Sequence, residues 1–355
     1  MVLLLMPLTG TKRIKIKVML LDGLHIPATT PFYSDGRVYL RKLEHNVARY
    51  SMTPAAGIAI LAGPGEAEML DDTETRDVLA AAVGAAAPEK VLWAGVSRPG
   101  VAATLDLIHY AAGLGYDVAL VRVPAVEASV YFRAVADASG LPVVIFDPES
   151  ALTAEEVSRL SLHARILGIV SGSSDIAAVI VASAKAPRRD VVVTPVFSAV
   201  TGRMQATKST EAATFVSAGS LADGGAAVAV APPKPSLKTR TRNVGFQVLS
   251  SSDAGMVDAL AARAQGLLTT FTASAPQACH EVYAAWKDGD PKLAAEKQAR
   301  IAAPAAEIVG GLGIAGVKYA AELTGYYGGK PRLPRLPLTA DQREEVERRM
   351  YGIRS

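Results

Sequence analysis

Short polar side chains follow several apolar runs of this chain, at positions where strands are expected to end. They are Thr29, Thr30, Asp147, Ser171, Ser173, Ser174, Ser250, Ser251 and Asp253. Hydroxyls and carboxylates can bind a small polar ligand, and the carboxyl ends of parallel strands are where barrel proteins place their sites. Alternatively, each residue caps the helix that follows, because Ser and Asp are preferred N-caps. Each of these residues taken alone fits the role of a helix cap, whereas all of them together are compatible with a polar pocket.

Two motifs match the residue pattern of a known functional signature but not the structural context that the signature requires. Gly311-x-Gly313-x-x-Gly316 has the spacing of a dinucleotide fingerprint, but that motif must follow a strand and open a helix. Helical residues precede it here, so we predict a turn between helices. Cys279-His280-Glu281 lies in a predicted helix, where neighbours diverge by about 100°. We interpret it as a cluster on the helix surface.

The remaining histidines do not suggest a metal centre. His25, His45, His109 and His163 are scattered without the spacing of metal ligands. We predict neither a metal site nor a cofactor.

Composition indicates a globular protein. Of 355 residues, 50% are apolar and 20% charged, enough for one large α/β barrel with an appendix or for two ordinary domains. A net charge of +3 and 6% aromatic residues argue against nucleic-acid binding. Cys279 is the only cysteine, which rules out an intramolecular disulfide and fits a reducing cytoplasm.

The amino terminus does not match a secretory signal. Its apolar run, residues 2–5, precedes the basic residues at 12–17, whereas a signal has the charge first and a longer apolar stretch after it. No run approaches the roughly 18 apolar residues of a membrane helix. We expect a cytoplasmic protein in which residues 1–18 precede a domain that starts at 19.

From residue 23 onward, apolar runs alternate with amphipathic stretches. The predicted strands are 24–30, 57–62, 91–96, 118–123, 142–146 and 166–170, followed later by 246–253 and 266–272. Strands that are apolar on both faces, each followed by a helix, predict a parallel sheet. The repeat length fits a (β/α)8 barrel over 19–275, and a doubly wound sheet is the alternative.

Two segments depart from this rhythm. Residues 186–243, rich in Pro and Gly and ending in a basic run, are predicted as an insertion between barrel units 6 and 7. We expect a small β-rich excursion or a partly disordered arm at the surface. Residues 276–355 are predicted as a C-terminal helical subdomain, a kind that often carries subunit contacts.

An ordered set of landmarks resembles the dihydrodipicolinate synthase / N-acetylneuraminate lyase family of class I aldolase-type barrels. The landmarks are Ala28-Thr29-Thr30-Pro31-Phe32, Leu61-Ala-Gly-Pro-Gly65-Glu66, Leu141-Pro142-Val-Val-Ile-Phe146-Asp147, Gly168-Ile169-Val170 and Pro331-Arg332-Leu-Pro334. The resemblance implies a lysine that forms a Schiff base with pyruvate. It also implies a tyrosine that shuttles protons and a hydroxyl-lined loop that holds the carboxylate.

This sequence departs from the family at those functional positions. Val170 stands where the family has its lysine, and Phe146 where it has its tyrosine. Gly63-Pro64 replaces the paired threonines of the loop, which removes two hydroxyls and one backbone donor. Neither Lys185, expected to face solvent, nor Lys318, on a C-terminal helix, is predicted to replace the lysine.

Two functions remain open. The first is a barrel disabled for Schiff-base chemistry that binds a small ligand or assembles as a homo-oligomer, a dimer or a tetramer. Its candidate binding residues are Thr29, Thr30, Gly63, Gly65, Glu66, Asp147, Ser171 and Ser251. For Glu66 we favour a structural role over lining the pocket. The second is an active lyase or aldolase on a pyruvate-type 2-oxo acid, which requires a buried lysine of lowered pKa in the barrel mouth.

Overall fold

Eight parallel strands close into a barrel in the computed structural model, which describes residues 18–205 and 237–353. The barrel strands are β1 (Gly23–Pro27), β2 (Gly57–Ile60), β3 (Val91–Gly95), β4 (Val118–Arg122), β5 (Val143–Asp147), β6 (Ile166–Ser171), β9 (Gln247–Ser250) and β10 (Gly266–Leu267). β1 pairs with both β2 and β10, which closes the ring. The predicted (β/α)8 barrel is confirmed, and the doubly wound alternative is wrong.

Helices surround the barrel and continue beyond its last strand. They are α1 (Leu40–Ser51), α2 (Asp72–Ala85), α3 (Val101–Leu114), α4 (Ala128–Ala138), α5 (Ala154–Ser161), α6 (Ile176–Ala182), α7 (Met256–Ala261), α8 (Pro276–Lys287), α9 (Pro291–Ala305), α10 (Gly313–Leu323) and α11 (Ala340–Met350). α8 packs against β1, α7 and α9, and α10 packs against α11. The C-terminal part of the chain is therefore helical, as predicted. None of the helices in the described ranges combines the length and the apolar character needed to cross a membrane.

The glycine-spaced motif lies at a junction between helices, as predicted. Residues Ala306–Gly311 form a π-helical turn, and α10 begins at Gly313. The interpretation of Cys279 as part of a surface cluster is wrong, because its side chain is fully buried on α8. Glu281 does lie at the surface side of this helix, where it pairs with Lys297 and Arg300.

Polar side chains close the amino-terminal end of the barrel interior. Met19 and Leu21 pack inside with the inward-facing residues of the strands. The Gln247 amide accepts from the Leu21 N–H at 2.8 Å and donates to the Met19 carbonyl at 2.9 Å. Trp93 Nε1 donates to His25 Nδ1 at 3.1 Å, so His25 carries its proton on Nε2 and donates to the Leu21 carbonyl. Burial lowers the pKa of His25 to about 4, and this histidine is a neutral part of the core.

The described part of the insertion lies over this same end of the barrel. Its strands β7 (Arg189–Val193) and β8 (Arg240–Val244) form a separate antiparallel pair. Val191, Val193 and Val244 are buried against Leu20. The prediction of a β-rich excursion is therefore confirmed for 186–205 and 237–243, and residues 206–236 lie outside the described residues.

Asp117 joins the insertion to the barrel. Its carboxylate accepts from the Leu92 and Gly202 N–H groups, both at 3.0 Å, and lies 3.7 Å from the guanidinium of Arg203. The Asp117 side chain is 2% exposed and that of Arg203 12% exposed. Breaking such a pair leaves a buried charge and two backbone donors without their acceptor.

We predict that Asp117→Ala lowers the free energy of unfolding by about 3 kcal/mol, because the buried Arg203 loses its carboxylate. Urea unfolding followed by circular dichroism measures this. Asp106→Ala is the matched control, since its ion pair with Arg76 is on the surface and is worth only about 0.5 kcal/mol. Equal losses in the two variants would contradict the proposed role of Asp117.

Candidate functional site

Val170 and Phe146 lie side by side inside the barrel. The register between β5 and β6 pairs Phe146 with Val170. Both side chains belong to the apolar cluster in the barrel interior, together with Val144 and Leu249. Val170 is completely buried, and Phe146 is 9% exposed towards the mouth formed by the carboxyl ends of the strands. The position where the resemblance implies a lysine therefore faces the interior and carries an isopropyl group.

Of the lysines within the described ranges, Lys90 and Lys318 are the buried ones. Lys90 lies at the amino-terminal end of β3, where its ammonium donates to the carbonyls of Thr53 and Ala55 at 2.6 and 2.8 Å. Lys185 is exposed, as expected. Neither buried lysine belongs to the apolar cluster around Val170.

Lys318 forms a buried ion pair with Glu66. The Nζ–Oε1 distance is 2.5 Å, and both side chains are fully buried. The ammonium also donates to the Lys330 carbonyl at 3.1 Å and lies 4.3 Å from the centre of the Phe32 ring. Burial lowers the pKa of Lys318 to about 8, against the opposing effect of Glu66.

Glu66 also holds the C-terminal tail. Its Oε2 accepts from the Arg332 N–H at 3.2 Å and lies 3.5 Å from the Arg335 guanidinium. The favoured structural interpretation of Glu66 agrees with these contacts, since both carboxylate oxygens are engaged by residues of the C-terminal part.

The glycine-rich loop follows β2 and reaches the barrel mouth. A Cβ placed on Gly63 would lie 3.9 Å from Phe146 Cζ and 4.0 Å from Thr270 Oγ1. Because Gly63 has no side chain, the space that a Cβ would fill beside the tip of the Phe146 ring is left free. Threonine hydroxyls are therefore missing from the part of the loop that faces this ring.

The two threonines after β1 differ in their contacts. Thr30 Oγ1 donates to the Gly65 carbonyl at 2.6 Å, which fixes the loop. The Thr29 hydroxyl is buried and has no hydrogen-bond partner among the described residues. Thr29 is thus a predicted binding residue whose hydroxyl is unpaired within the described ranges, and it is closed to solvent in this structure.

The polar groups after β5, β6 and β9 are used by the turns that follow those strands. Asp147 accepts from the N–H groups of Ala151 and Leu152, at 2.7 and 3.1 Å. The hydroxyls of Ser171 and Ser250 each accept from the N–H two residues later. Ser251 donates its N–H to the Ser171 carbonyl at 2.9 Å. These residues lie close together, but they cap turns, whereas Thr153 and Asp175 cap the helices α5 and α6.

Arg122 is a mouth residue that the sequence analysis missed. It ends β4, is paired in register with Phe146, and its Cζ lies 5.6 Å from the centre of the Phe146 ring. The guanidinium forms an ion pair with Glu149, and the Arg122 side chain is 47% exposed. The sequence feature that could have identified Arg122 is a charged residue at the end of an otherwise apolar strand. It follows the inward-facing Val118 and Leu120 at intervals of two residues, so it lies on the same face of the strand.

No cluster of three or more His, Cys, Asp or Glu side chains suited to a metal ion occurs in the portion of the chain that the structure covers. Asp253, after β9, is partly buried, and its Oδ1 accepts from the Phe271 N–H at 2.7 Å. Burial raises the pKa of Asp253 to about 7, since desolvation penalises its charged form.

We predict that Asp253→Asn stabilises the fold at pH 8 relative to the wild type by about 2 kcal/mol. A carboxyl whose pKa is raised in the folded state binds its proton more tightly there, so wild-type stability falls as the pH rises from about 4 to about 7. The amide is neutral throughout and still offers an oxygen to Phe271. Urea unfolding at pH 5 and pH 8 measures the difference, with Asp288→Asn at an exposed position as control. An equal effect of Asp253→Asn at both pH values would contradict the assignment.

Comparisons with known proteins agree with this geometry. A sequence profile described as the Dihydrodipicolinate synthetase family matches residues 20–198 and 236–351. The 4-hydroxy-tetrahydrodipicolinate synthase of Acidiphilium cryptum is 23% identical over 341 residues, which cover 93% of this chain and 98% of that protein. A probable 4-hydroxy-2-oxoglutarate aldolase of Emericella nidulans is 30% identical over 168 residues, covering 42% of this chain and 54% of that protein.

Solved structures share the fold. A putative dihydrodipicolinate synthase family protein from Coccidioides immitis superposes with a TM-score of 0.73 at 21% identity, over 96% of this chain and 97% of that one. A dihydrodipicolinate synthase from Acinetobacter baumannii, solved in complex with pyruvate, has a TM-score of 0.71 at 21% identity, over 94% of this chain and 99% of that one. The profile match extends over both sides of the insertion and includes the strands that carry Phe146 and Val170. The chain belongs to the dihydrodipicolinate synthetase family.

Proposed function

We propose that this chain is a family member that does not perform Schiff-base aldol or lyase chemistry and that binds a small 2-oxo acid without a covalent bond. The observation that carries the proposal is the completely buried Val170 beside Phe146 in the barrel interior. A Schiff base needs an amine lone pair, and the proton transfers that follow need a hydroxyl or a similar group. Loss of a covalent nucleophile can cost about six decades in rate, or roughly 8 kcal/mol of barrier.

The mouth offers non-covalent contacts suited to a carboxylate. The Arg122 guanidinium can form two parallel hydrogen bonds with a carboxylate, a geometry that favours arginine for this purpose. In the structure Arg122 pairs with Glu149 at the surface, and an exposed pair of this kind is weak enough for a ligand to exchange with it. Gly63 leaves the volume of a Cβ free beside the tip of the Phe146 ring. The Thr29 hydroxyl, unpaired in the part of the chain that the structure describes, is buried, so a ligand reaches it only after a local shift.

The relatives supply the ligand class. One is named as an aldolase of 4-hydroxy-2-oxoglutarate, and one solved structure contains pyruvate. Both compounds are 2-oxo acids, whose carboxylate suits Arg122. We extend the proposal to a cytoplasmic homo-oligomer, a dimer or a tetramer, in which the barrel serves binding or assembly.

A second candidate function is an active lyase that uses a different residue set. The observation that favours it is Lys318, a buried lysine whose pKa is lowered to about 8. Its ammonium is engaged by Glu66 and the Lys330 carbonyl and lies against Phe32, outside the apolar cluster that contains Val170. Covalent capture of a 2-oxo acid by Lys318 would support this alternative.

We expect pyruvate to bind the wild-type protein with a dissociation constant of about 1 mM and Arg122→Gln to weaken binding about tenfold. The glutamine keeps a polar side chain but loses the charge and the planar pair of donors. Saturation-transfer NMR on the full chain measures the affinity.

Arg159→Gln is the matched control, because Arg159 also forms an exposed ion pair, with Glu155 on α5. It should bind pyruvate as the wild type does. Equal affinities of the wild type and Arg122→Gln would contradict the role of Arg122, and a failure of the wild type to bind any 2-oxo acid would overturn the proposed ligand class.

A further inference from the structure

A second cavity lies at the opposite end of the barrel, between its amino-terminal end and the insertion. Its volume is about 850 Å³, which is in the range of small-molecule sites. Leu24 and Lys90 line it from the barrel, Tyr283 and Lys287 from α8, and Phe197 and Arg242 from the insertion. Three separate parts of the chain thus enclose one space.

Positive charge predominates in this cavity. Asp22 accepts from Tyr283 Oη at 3.1 Å and from Arg242 Nη1 at 3.2 Å, and it lies 3.6 Å from Lys287 Nζ. Two cations therefore share one carboxylate at this point. An incoming anion can pair with either cation without leaving Asp22 unpaired.

Lys90 adds a third cation to the cavity wall. Its Nζ donates to two backbone carbonyls, which leaves the third N–H of an ammonium group for another acceptor. Burial lowers its pKa, and Glu89, which lines the cavity from an exposed position, opposes that effect. The cavity is lined by three cationic side chains, Lys90, Arg242 and Lys287, and by two carboxylates, Asp22 and Glu89, so its lining has a net positive charge.

An aromatic side chain stands at the same cavity. Phe197 is 50% exposed, and its neighbour Val196 is 79% exposed. The turn that presents them is fixed by hydrogen bonds, because the Phe197 N–H donates to the Thr194 carbonyl at 2.9 Å. Phe197 has a φ of 61°, a left-handed conformation that is costly for a bulky residue and that persists only where surrounding contacts enforce it. Val196 and Phe197 therefore form a small exposed apolar surface beside the charged groups of this cavity.

We propose that this cavity binds a small organic anion that carries an apolar body. The anionic group, a carboxylate or a phosphate ester, pairs with Arg242 and Lys287 and is attracted by Lys90. The apolar body packs against Phe197. This site is independent of the 2-oxo acid site at the barrel mouth and uses none of its residues.

Isothermal titration calorimetry on the full chain tests the proposal with four probes. Phenylacetate and phenyl phosphate carry both features, 2-phenylethanol lacks the charge, and inorganic phosphate lacks the body. We expect saturable binding of at least one of the first two, with a dissociation constant below about 1 mM, and binding of the last two at least about tenfold weaker. Comparison of phenylacetate with phenyl phosphate identifies the preferred anionic group.

Variants locate the binding. Lys287→Gln and Phe197→Ala should each weaken it about fivefold or more. Lys292→Gln, an exposed lysine on α9, and Arg122→Gln, at the barrel mouth, should leave it unchanged. Thermal melts of all four variants check that the fold is intact. The proposal would be overturned if 2-phenylethanol bound as tightly as the anions, or if no probe showed saturable binding. It would also be overturned if Lys287→Gln and Lys292→Gln bound the anions with equal affinity. Loss of phenylacetate binding in Arg122→Gln alone would assign it to the mouth and would also overturn the proposal.

Discussion

Closure of eight parallel strands into a barrel leaves a narrow interior that side chains have to fill without unpaired polar atoms. In this protein the strand register brings Phe146 beside Val170, and Val144 and Leu249 complete an apolar packing around them. A lysine in such a place has to be neutral or paired with an anion. Burial favours the neutral amine, which is the form that attacks a carbonyl group. Valine satisfies the packing without any of that chemistry. The interior is therefore packed as an apolar core, and position 170 presents no amine to it.

The two ends of the barrel are closed differently. At the amino-terminal end, Met19 and Leu21 enter the interior, Gln247 and His25 pair their backbone groups, and the insertion packs outside them. At the carboxyl-terminal end the glycine-rich loop bends over Phe146 and is held by Thr30 and, through Glu66, by the buried Lys318. The chain's buried lysine at this end thus stabilises the loop and the C-terminal part together. Breaking a pair of this kind is strongly destabilising, which ties Lys318 to the structure whether or not it has another role.

Much of the barrel could be predicted from the sequence, because strands buried on both faces read as apolar runs. The run 166–170 matches β6 within one residue, whereas 266–272 was predicted as a strand and only Gly266–Leu267 pairs, since the chain turns into a short 3-10 helix at Thr270. Val170 and Phe146 were singled out by the family resemblance, and the register of β5 and β6 places them side by side in the interior. The partners of polar residues could not be predicted, because they are remote in sequence: Glu66 pairs with Lys318, and Asp117 with Arg203. Arg122 was missed because a charged residue at a strand end resembles an ordinary boundary. The site of the insertion was predictable, but the end of the barrel it covers depends on how Val191 and Val193 pack against Leu20.

The most direct test of the account is the intact mass of the protein after incubation with pyruvate and sodium borohydride, which reduces a Schiff base to a stable adduct. A dihydrodipicolinate synthase that carries the family's lysine, labelled under the same conditions, is the positive control. With Val170 at the lysine position, the account predicts that the mass stays unchanged. A stoichiometric pyruvate adduct would contradict it, and peptide mapping would then name the nucleophile, with an adduct on Lys318 establishing the alternative lyase.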